Sequence, residues 1–183
     1  MLGTRVKRWL AVGVLAAAAG AVCAGDGGRK HTAREDLVGA WRLVQIAVLG
    51  PQGPEVDPFY GSDSEGLLIY DAAGWFSVQI AGQNRPLLGV PNSRPQTDMA
   101  GLALKEKALD SYYAYYGTWN FDAASSTVTH HAKGALYPAE HDAIYAQHVE
   151  VHGATMTFTR SQGSANHRTV QTKVWERVNA RLN

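Results

Sequence analysis

Histidine and tyrosine supply the side chains of this sequence that could move protons near neutral pH. The chain has seven histidines and eight tyrosines. His130 and Tyr115 could exchange a proton with a substrate, because an imidazole titrates near neutral pH. The alternative is a histidine that is hydrogen-bonded to a tyrosine in a packed core, and both interpretations stay open. The sequence contains no nucleophile elbow, phosphate-binding loop or paired-carboxylate motif.

The spacing of the histidines argues against a metal site. His130 and His131 are adjacent, so on a strand they face opposite ways and cannot share one ion. His148 and His152 share a face, but about 3.3 Å per residue separates them by about 13 Å, whereas zinc needs nitrogens about 2 Å from one centre. His131 could meet His148 on the outer face, but two exposed histidines make a weak site. We expect no metal and no cofactor.

β-Strands must position these side chains, because period-two alternation is frequent in the sequence and helical periodicity is scarce. The sequence predicts eight strands, at residues 41–48, 66–70, 75–80, 112–121, 127–134, 144–151, 155–160 and 169–178. One short helix is predicted at residues 98–109, before the fourth strand, with Thr97 or Asp98 as its N-cap. We expect residues 81–100, which contain three prolines, and the helix to lie over an opening of the fold.

Eight antiparallel strands that follow one another along the chain leave two unpaired edges. Closure into a barrel removes these edges. An eight-stranded barrel has an interior that side chains fill or that holds one small ligand. We therefore predict an all-β fold, an eight-stranded antiparallel up-and-down barrel. A two-sheet sandwich is the alternative.

Strand alternation predicts which side chains face the interior. If Trp41 faces inward, then Leu43, Gln45 and Ala47 follow it. On later strands the predicted inward residues include Val128, Ala132, Tyr145, Val149, Met156 and Phe158. The residues that we expect to contact a ligand are Gln45, Gln79, Tyr113, Tyr115, Trp119, His130, Gln147 and Arg160. A mostly apolar pocket with a few polar groups is typical of a small-molecule site. The alternative is that these side chains fill a core.

The composition is that of a single globular domain. The chain has 183 residues, of which 45% are hydrophobic and 18% are charged, and this balance excludes general disorder. The formal net charge of +1 shows no excess of basic residues of the kind that binds nucleic-acid phosphates, so we expect no nucleic-acid partner. The single cysteine, Cys23, excludes an intrachain disulfide and a cysteine-based zinc site.

The first 24 residues have the pattern of a secretory signal peptide. Arg5, Lys7 and Arg8 precede an apolar run over residues 9–22, and a small-residue site ends at Ala24. We predict cleavage after Ala24, a flexible lead-in over residues 25–33, and a folded domain over residues 34–183. The alternatives are a retained membrane anchor, although the apolar run is short for a bilayer span, and lipidation at Cys23. Cleavage after Ala24 changes the net charge from +1 to −2.

Several segments carry a family resemblance. Gly39, Ala40 and Trp41 form a Gly-x-Trp motif that enters the first strand after a short helical turn. Further matching segments are residues 37–44, 60–70, 115–119, 127–131 and 174–178. Together they resemble the bacterial lipocalin-like domain family and cover nearly the whole mature chain in order. The resemblance implies a lipocalin-like, calycin-type β-barrel and no particular reaction.

The resemblance also implies structural roles for Gly39, Trp41 and Arg177. In lipocalins the Trp of the Gly-x-Trp motif closes the barrel floor, and an Arg near the last strand covers its ring. A guanidinium over an indole contributes about 0.5–2 kcal/mol. Arg42 and Arg181 are the alternatives to Arg177.

We therefore expect an exported lipocalin-like protein, periplasmic or secreted, that binds a small, largely apolar molecule in the barrel interior. We expect a monomer that is not stably inserted in a membrane after signal cleavage. One alternative is a barrel enzyme, an isomerase or cyclase acting on a hydrophobic substrate, with His130 and Tyr115 as proton-transfer groups. Another is a structural or partner-binding module with a filled interior.

Overall fold

A computed structural model describes residues 32–83, 85–88, 99–164 and 168–178, and the structural statements below concern these residues. The predicted signal peptide, its cleavage site and most of the lead-in lie outside them. The helices are α1 (Arg34–Leu37), α2 (Met99–Asp110) and a 3₁₀ helix (Pro138–Glu140). None of the described helices is long and apolar enough to cross a membrane.

Nine strands make up most of the described chain. They are β1 (Gly39–Gly50), β2 (Gly53–Glu55), β3 (Glu65–Tyr70), β4 (Trp75–Ala81), β5 (Tyr112–Asp122), β6 (Thr127–Ala135), β7 (Ile144–His152), β8 (Thr155–Gln162) and β9 (Thr169–Arg177). The strand β2, which was not predicted, has three residues and forms a hairpin with the end of β1. Its Gly-Pro-Glu sequence has no apolar alternation that would indicate a strand.

The sheet closes into a barrel. The strands from β3 to β9 pair antiparallel in chain order, and β1 pairs with both β3 and β9. The closing register runs from Trp41 opposite Arg177 to Leu49 opposite Val170. The predicted eight-stranded antiparallel barrel is therefore confirmed, with β2 as an additional strand, and the sandwich alternative is wrong.

A β-bulge in β1 reverses its inward face. Trp41 and Leu43 are buried, but the register with β9 shifts between Leu43 and Gln45. After the shift Gln45 and Ala47 are exposed, and Ile46 packs against the core. The predicted inward orientation of Gln45 and Ala47 is wrong, because one extra residue in a strand moves all following side chains to the opposite face.

The alternation predicted for β5 to β8 is confirmed. The inward side of these strands carries Tyr115, Trp119, Val128, His130, Ala132, Val149, Met156 and Phe158, all buried. Between them, Tyr116, Asn120, Ala146, His148 and Glu150 are exposed. The buried side chains of all the barrel strands form one continuous core with Leu37 of α1.

Candidate functional site

A cavity of about 240 Å³ occupies part of the barrel interior. Apolar side chains line much of it: Leu68, Val78, Ile80, Phe158 and Trp175. The polar lining consists of Tyr113, Tyr115, His130, Gln147, Arg160, Gln162, Gln171 and Lys173. Phe59 and Tyr60, from the loop between β2 and β3, complete the wall. The volume exceeds that of an apolar cavity of about 150 Å³ that is known to accept benzene.

His130 lines this cavity between two tyrosine hydroxyls. The Tyr70 hydroxyl oxygen lies 2.5 Å from Nε2, and the Tyr115 hydroxyl oxygen lies 2.8 Å from Nδ1. The Phe76 ring stacks on the imidazole, with centroids 4.0 Å apart and an angle of 18° between the planes. His130 is only 2% exposed. Both ring nitrogens are therefore engaged, and one face of the ring is covered.

Burial keeps this imidazole neutral. Desolvation lowers the pKa of His130 to about 3, and the positive charges of His131 and Lys173 act in the same direction. A neutral imidazole has one N–H donor and one acceptor nitrogen. The enclosed Tyr70 hydroxyl has no other partner among the described residues, so it donates to Nε2. The Nδ1–H then donates to Tyr115, whose own hydroxyl proton is left for a partner in the cavity.

This geometry favours a positioning role for His130 over proton transfer. A group that transfers protons efficiently has a pKa near the working pH, whereas the pKa of His130 is far below neutrality. Burial raises the pKa of the Tyr70 and Tyr115 hydroxyls, so neither becomes a base at neutral pH. The three side chains instead form a fixed polar network that sets the direction of the Tyr115 hydroxyl.

A second polar chain connects the loop after β2 to β9. The buried Asp57 carboxylate accepts the backbone N–H groups of Phe59 and Tyr60, each at 3.0 Å, and Gln171 Nε2 at 2.8 Å. Gln171 Oε1 in turn accepts Lys173 Nζ at 2.5 Å. Burial lowers the pKa of Lys173 to about 8, opposed by the Asp57 charge and assisted by Arg160. Lys173 is thus mainly charged at neutral pH and faces the cavity.

The opposite region of the barrel, which we call the closed end, consists of α1, Trp41, Trp119 and Arg177. The Arg177 guanidinium lies 4.1 Å from the Trp41 ring centroid and donates to the carbonyls of Val38 at 2.8 Å and Asp36 at 2.6 Å. A Cβ at Gly39, whose φ is +132°, would lie 2.8 Å from Arg177 Nη1. Position 39 thus needs glycine for its backbone angle and for the approach of Arg177.

Both indole N–H groups of the closed end are hydrogen-bonded to backbone carbonyls. Trp41 Nε1 donates to Leu37 O at 2.8 Å, and Trp119 Nε1 donates to Asp71 O at 3.1 Å. The Arg34 guanidinium covers Trp119 at 4.3 Å. Trp119 was predicted to contact a ligand, but the structure packs it into this end, and it does not line the cavity.

Gln45 and Gln79 also lie away from the cavity. Both line a larger depression of about 590 Å³ where β1 separates from β3, together with Arg42, Glu65 and Tyr112. Gln79 is exposed because the inward positions of β4 are Phe76, Val78 and Ile80. The prediction that Gln45 and Gln79 line the barrel interior is therefore wrong. The depression is more open to solvent than the cavity, so it removes less of an apolar ligand from water.

The cavity brings together the five other predicted residues and several that were not predicted to contact a ligand. Tyr113, Tyr115, His130, Gln147 and Arg160 all line it. The unpredicted lining residues include Lys173 and Trp175. Alternation along β9 could have found them, because Lys173, Trp175 and Arg177 share one face of that strand.

The segment predicted to lie over the opening, residues 81–100 with the helix, is only partly described. Of the predicted loop, residues 84 and 89–98 lie outside the described ranges. The described part of α2 does not line the cavity, whereas Phe59 and Tyr60 do. Arg85 Nη2 instead donates to Ala108 O at 3.0 Å, which holds the described part of the loop against α2.

Comparison with known proteins adds one finding. The model of a family described as a lipocalin-like domain matches residues 38–178. This range runs from the residue before β1 to the residue after β9, so it contains the whole barrel. No curated protein matches the chain.

Proposed function

Because the chain belongs to the lipocalin-like domain family, whose barrel is in general a ligand-binding fold, we propose that it binds a small, largely apolar molecule in its interior cavity. The observation that carries this proposal is the cavity of about 240 Å³, whose lining combines apolar side chains with polar groups. Small-molecule sites combine these two features, since apolar walls supply binding energy and polar groups orient the ligand.

The size of the cavity limits the ligand. Its volume equals that of roughly eight waters at about 30 Å³ each. A single aromatic ring with a short side chain, or a medium-length acyl chain, is of this order. Larger ligands would have to extend past Phe59 and Tyr60 into solvent.

Titration with the apolar fluorescent probe N-phenyl-1-naphthylamine tests the proposal. We expect saturable binding with an increase in probe emission and quenching of tryptophan emission, because Trp175 lines the cavity. Gln147→Trp should block the cavity and abolish binding, since Gln147 is half-buried in the lining.

Gln79→Trp is the matched control, because it makes the same replacement on the exposed face of β4. It should leave the probe's Kd unchanged. Equal loss of binding in both variants, or loss in Gln79→Trp alone, would place the probe outside the barrel and contradict the proposal.

We further propose that the protein acts outside the cytoplasm, after cleavage behind Ala24. The basic, apolar and small-residue order of residues 1–24 supports this proposal. The N-terminal sequence of protein recovered from the periplasm or medium should begin at Gly25. A protein that retains Met1 or carries lipid on Cys23 would contradict cleavage at this position.

A further inference from the structure

Trp175, which lines the cavity, has a buried donor without an acceptor. Trp175 is 1% exposed, and its Nε1 is the one buried side-chain polar atom that lacks a hydrogen-bond partner within the described ranges. An indole nitrogen can only donate. An unpaired buried donor costs about 1–3 kcal/mol, and Trp41 and Trp119 both avoid this cost by bonding carbonyls. The described part of the barrel therefore supplies no acceptor for the Trp175 N–H.

Lys173 is the nearest inward neighbour of Trp175 along β9. Two residues of a strand span about 7 Å, so the two donors can face one group. The Lys173 ammonium has three N–H donors and uses one of them on Gln171. No carboxylate of the described residues forms an ion pair with it.

None of the other charged groups around the cavity contacts Lys173 directly within the described residues, and the Asp57 charge acts on it across Gln171. Asp57 already accepts three hydrogen bonds, from Phe59, Tyr60 and Gln171. The Glu140 carboxylate, on the 3₁₀ helix, accepts the Tyr113 hydroxyl at 2.9 Å. Arg160, which also lines the cavity, adds a second positive charge. The charge left without a direct partner in the cavity is therefore positive.

We infer that the ligand carries a carboxylate, which the Lys173 ammonium and the Trp175 indole N–H receive while its apolar part packs against Leu68, Val78, Ile80 and Phe158. This inference rests on the proposed function, because it names the chemical class of the ligand for the same cavity. The carboxylate provides acceptors for both donors at once. The apolar walls provide the surface for a short hydrocarbon or aromatic body.

The experiment compares octanoate with octan-1-ol, which differ at the polar end only, as competitors of N-phenyl-1-naphthylamine on the full protein. We expect wild type to bind octanoate at least about tenfold more tightly than octan-1-ol, because hydrogen bonds between charged groups are the strong ones. Lys173→Met preserves the length and apolar stem of the side chain. It should abolish the preference by weakening octanoate binding, and circular dichroism with urea unfolding checks that the variant is folded.

Lys133→Met is the matched control, because Lys133 is exposed on the outside of the barrel and pairs with Asp142 at 2.9 Å. It should keep the full octanoate preference. Trp175→Phe removes the indole N–H and should reduce the preference by a smaller factor.

Equal affinity of wild type for octanoate and octan-1-ol would overturn the carboxylate inference and leave the proposed function standing. An octanoate preference that survives in Lys173→Met would overturn it as well. If neither the apolar probe nor octan-1-ol, measured directly by calorimetry, binds wild type, the proposed function itself fails.

Discussion

Three buried tryptophans divide the interior of this barrel into two regions of different character. At the closed end, Trp41 and Trp119 donate to backbone carbonyls and lie under the guanidinium groups of Arg177 and Arg34. In the cavity, Trp175 is equally buried but donates to nothing within the described chain. Full pairing is typical of a region built for packing. Beside this unpaired donor lies the Lys173 ammonium, which uses one of its three N–H groups on Gln171.

The largest change in stability is expected from a substitution in the closed end. Trp41→Ala removes a fully buried indole and its hydrogen bond, and should lower the free energy of unfolding by about 3–5 kcal/mol. Urea unfolding followed by circular dichroism measures the change. The matched control is Trp75→Ala, because Trp75 is 52% exposed on the outer face and should change stability by about 0.5 kcal/mol or less. If Trp41→Ala weakened probe binding without lowering stability, Trp41 would belong to the cavity.

The next effect concerns the network between the two regions. His130→Phe leaves the Tyr70 and Tyr115 hydroxyls without their nitrogen partners and should lower the free energy of unfolding by about 2–4 kcal/mol. Its matched control is His131→Phe, on the outward face, with an expected change of about 0.5 kcal/mol or less. Equal destabilisation by the two substitutions in urea unfolding would remove the structural role that we assign to His130.

The same histidine predicts a pH dependence of stability. Its pKa is about 3 in the folded protein and about 6.5 as the ordinary value, so between these pH values the unfolded chain binds a proton that the folded chain does not. The free energy of unfolding should therefore rise with pH across this window, by at most about 1.4 kcal/mol per pH unit, and level off above it.

His130→Gln offers the tyrosines an amide donor and acceptor but cannot titrate. The variant should lack this part of the slope when urea unfolding is measured from about pH 5 to pH 7, above the range where most carboxylates titrate. An identical slope in wild type and variant would show that other groups carry the dependence.

The smallest effects test the position of the cavity wall. Gln45→Ala and Gln79→Ala lie on the outside of the barrel and should leave the probe's Kd unchanged. Gln147→Ala changes a residue of the cavity lining and should weaken probe binding by a few-fold, consistent with the loss of one packing and hydrogen-bonding side chain. If the two outer substitutions weakened probe binding more than Gln147→Ala, the depression between β1 and β3 would be the binding site.

Local patterns were sufficient to predict most of the barrel. Alternation over β5 to β8 identified the inward residues because these strands contain no irregularity that changes their faces except near the end of β6. The turn between β3 and β4 was also predictable, since Asp71 Oδ1 accepts the Ala73 N–H at 2.6 Å and Gly74 has a φ of +95°. Gly39 is likewise explained by one backbone angle and one neighbour.

The error at Gln45 arose where pairing between distant strands decides the outcome, whereas Gln79 was misplaced although β4 alternates regularly. The bulge opposite β9 exposes Gln45, and no local pattern of β1 marks it. Whether the Trp175 N–H has an acceptor depends on which groups the folded barrel places around it. By contrast, Trp41 donates to the carbonyl of Leu37, only four residues away in the chain.

The amino-acid sequence by itself determined the strand order, the alternating faces and the presence of a histidine between tyrosine-bearing strands, because these follow from spacing along the chain. Only the tertiary structure decided which inward positions line the cavity and which buried donors lack partners. The physical reason is that burial and hydrogen-bond satisfaction are properties of residues brought together by strand pairing, and Lys173 and Trp175 acquire their character from that assembly.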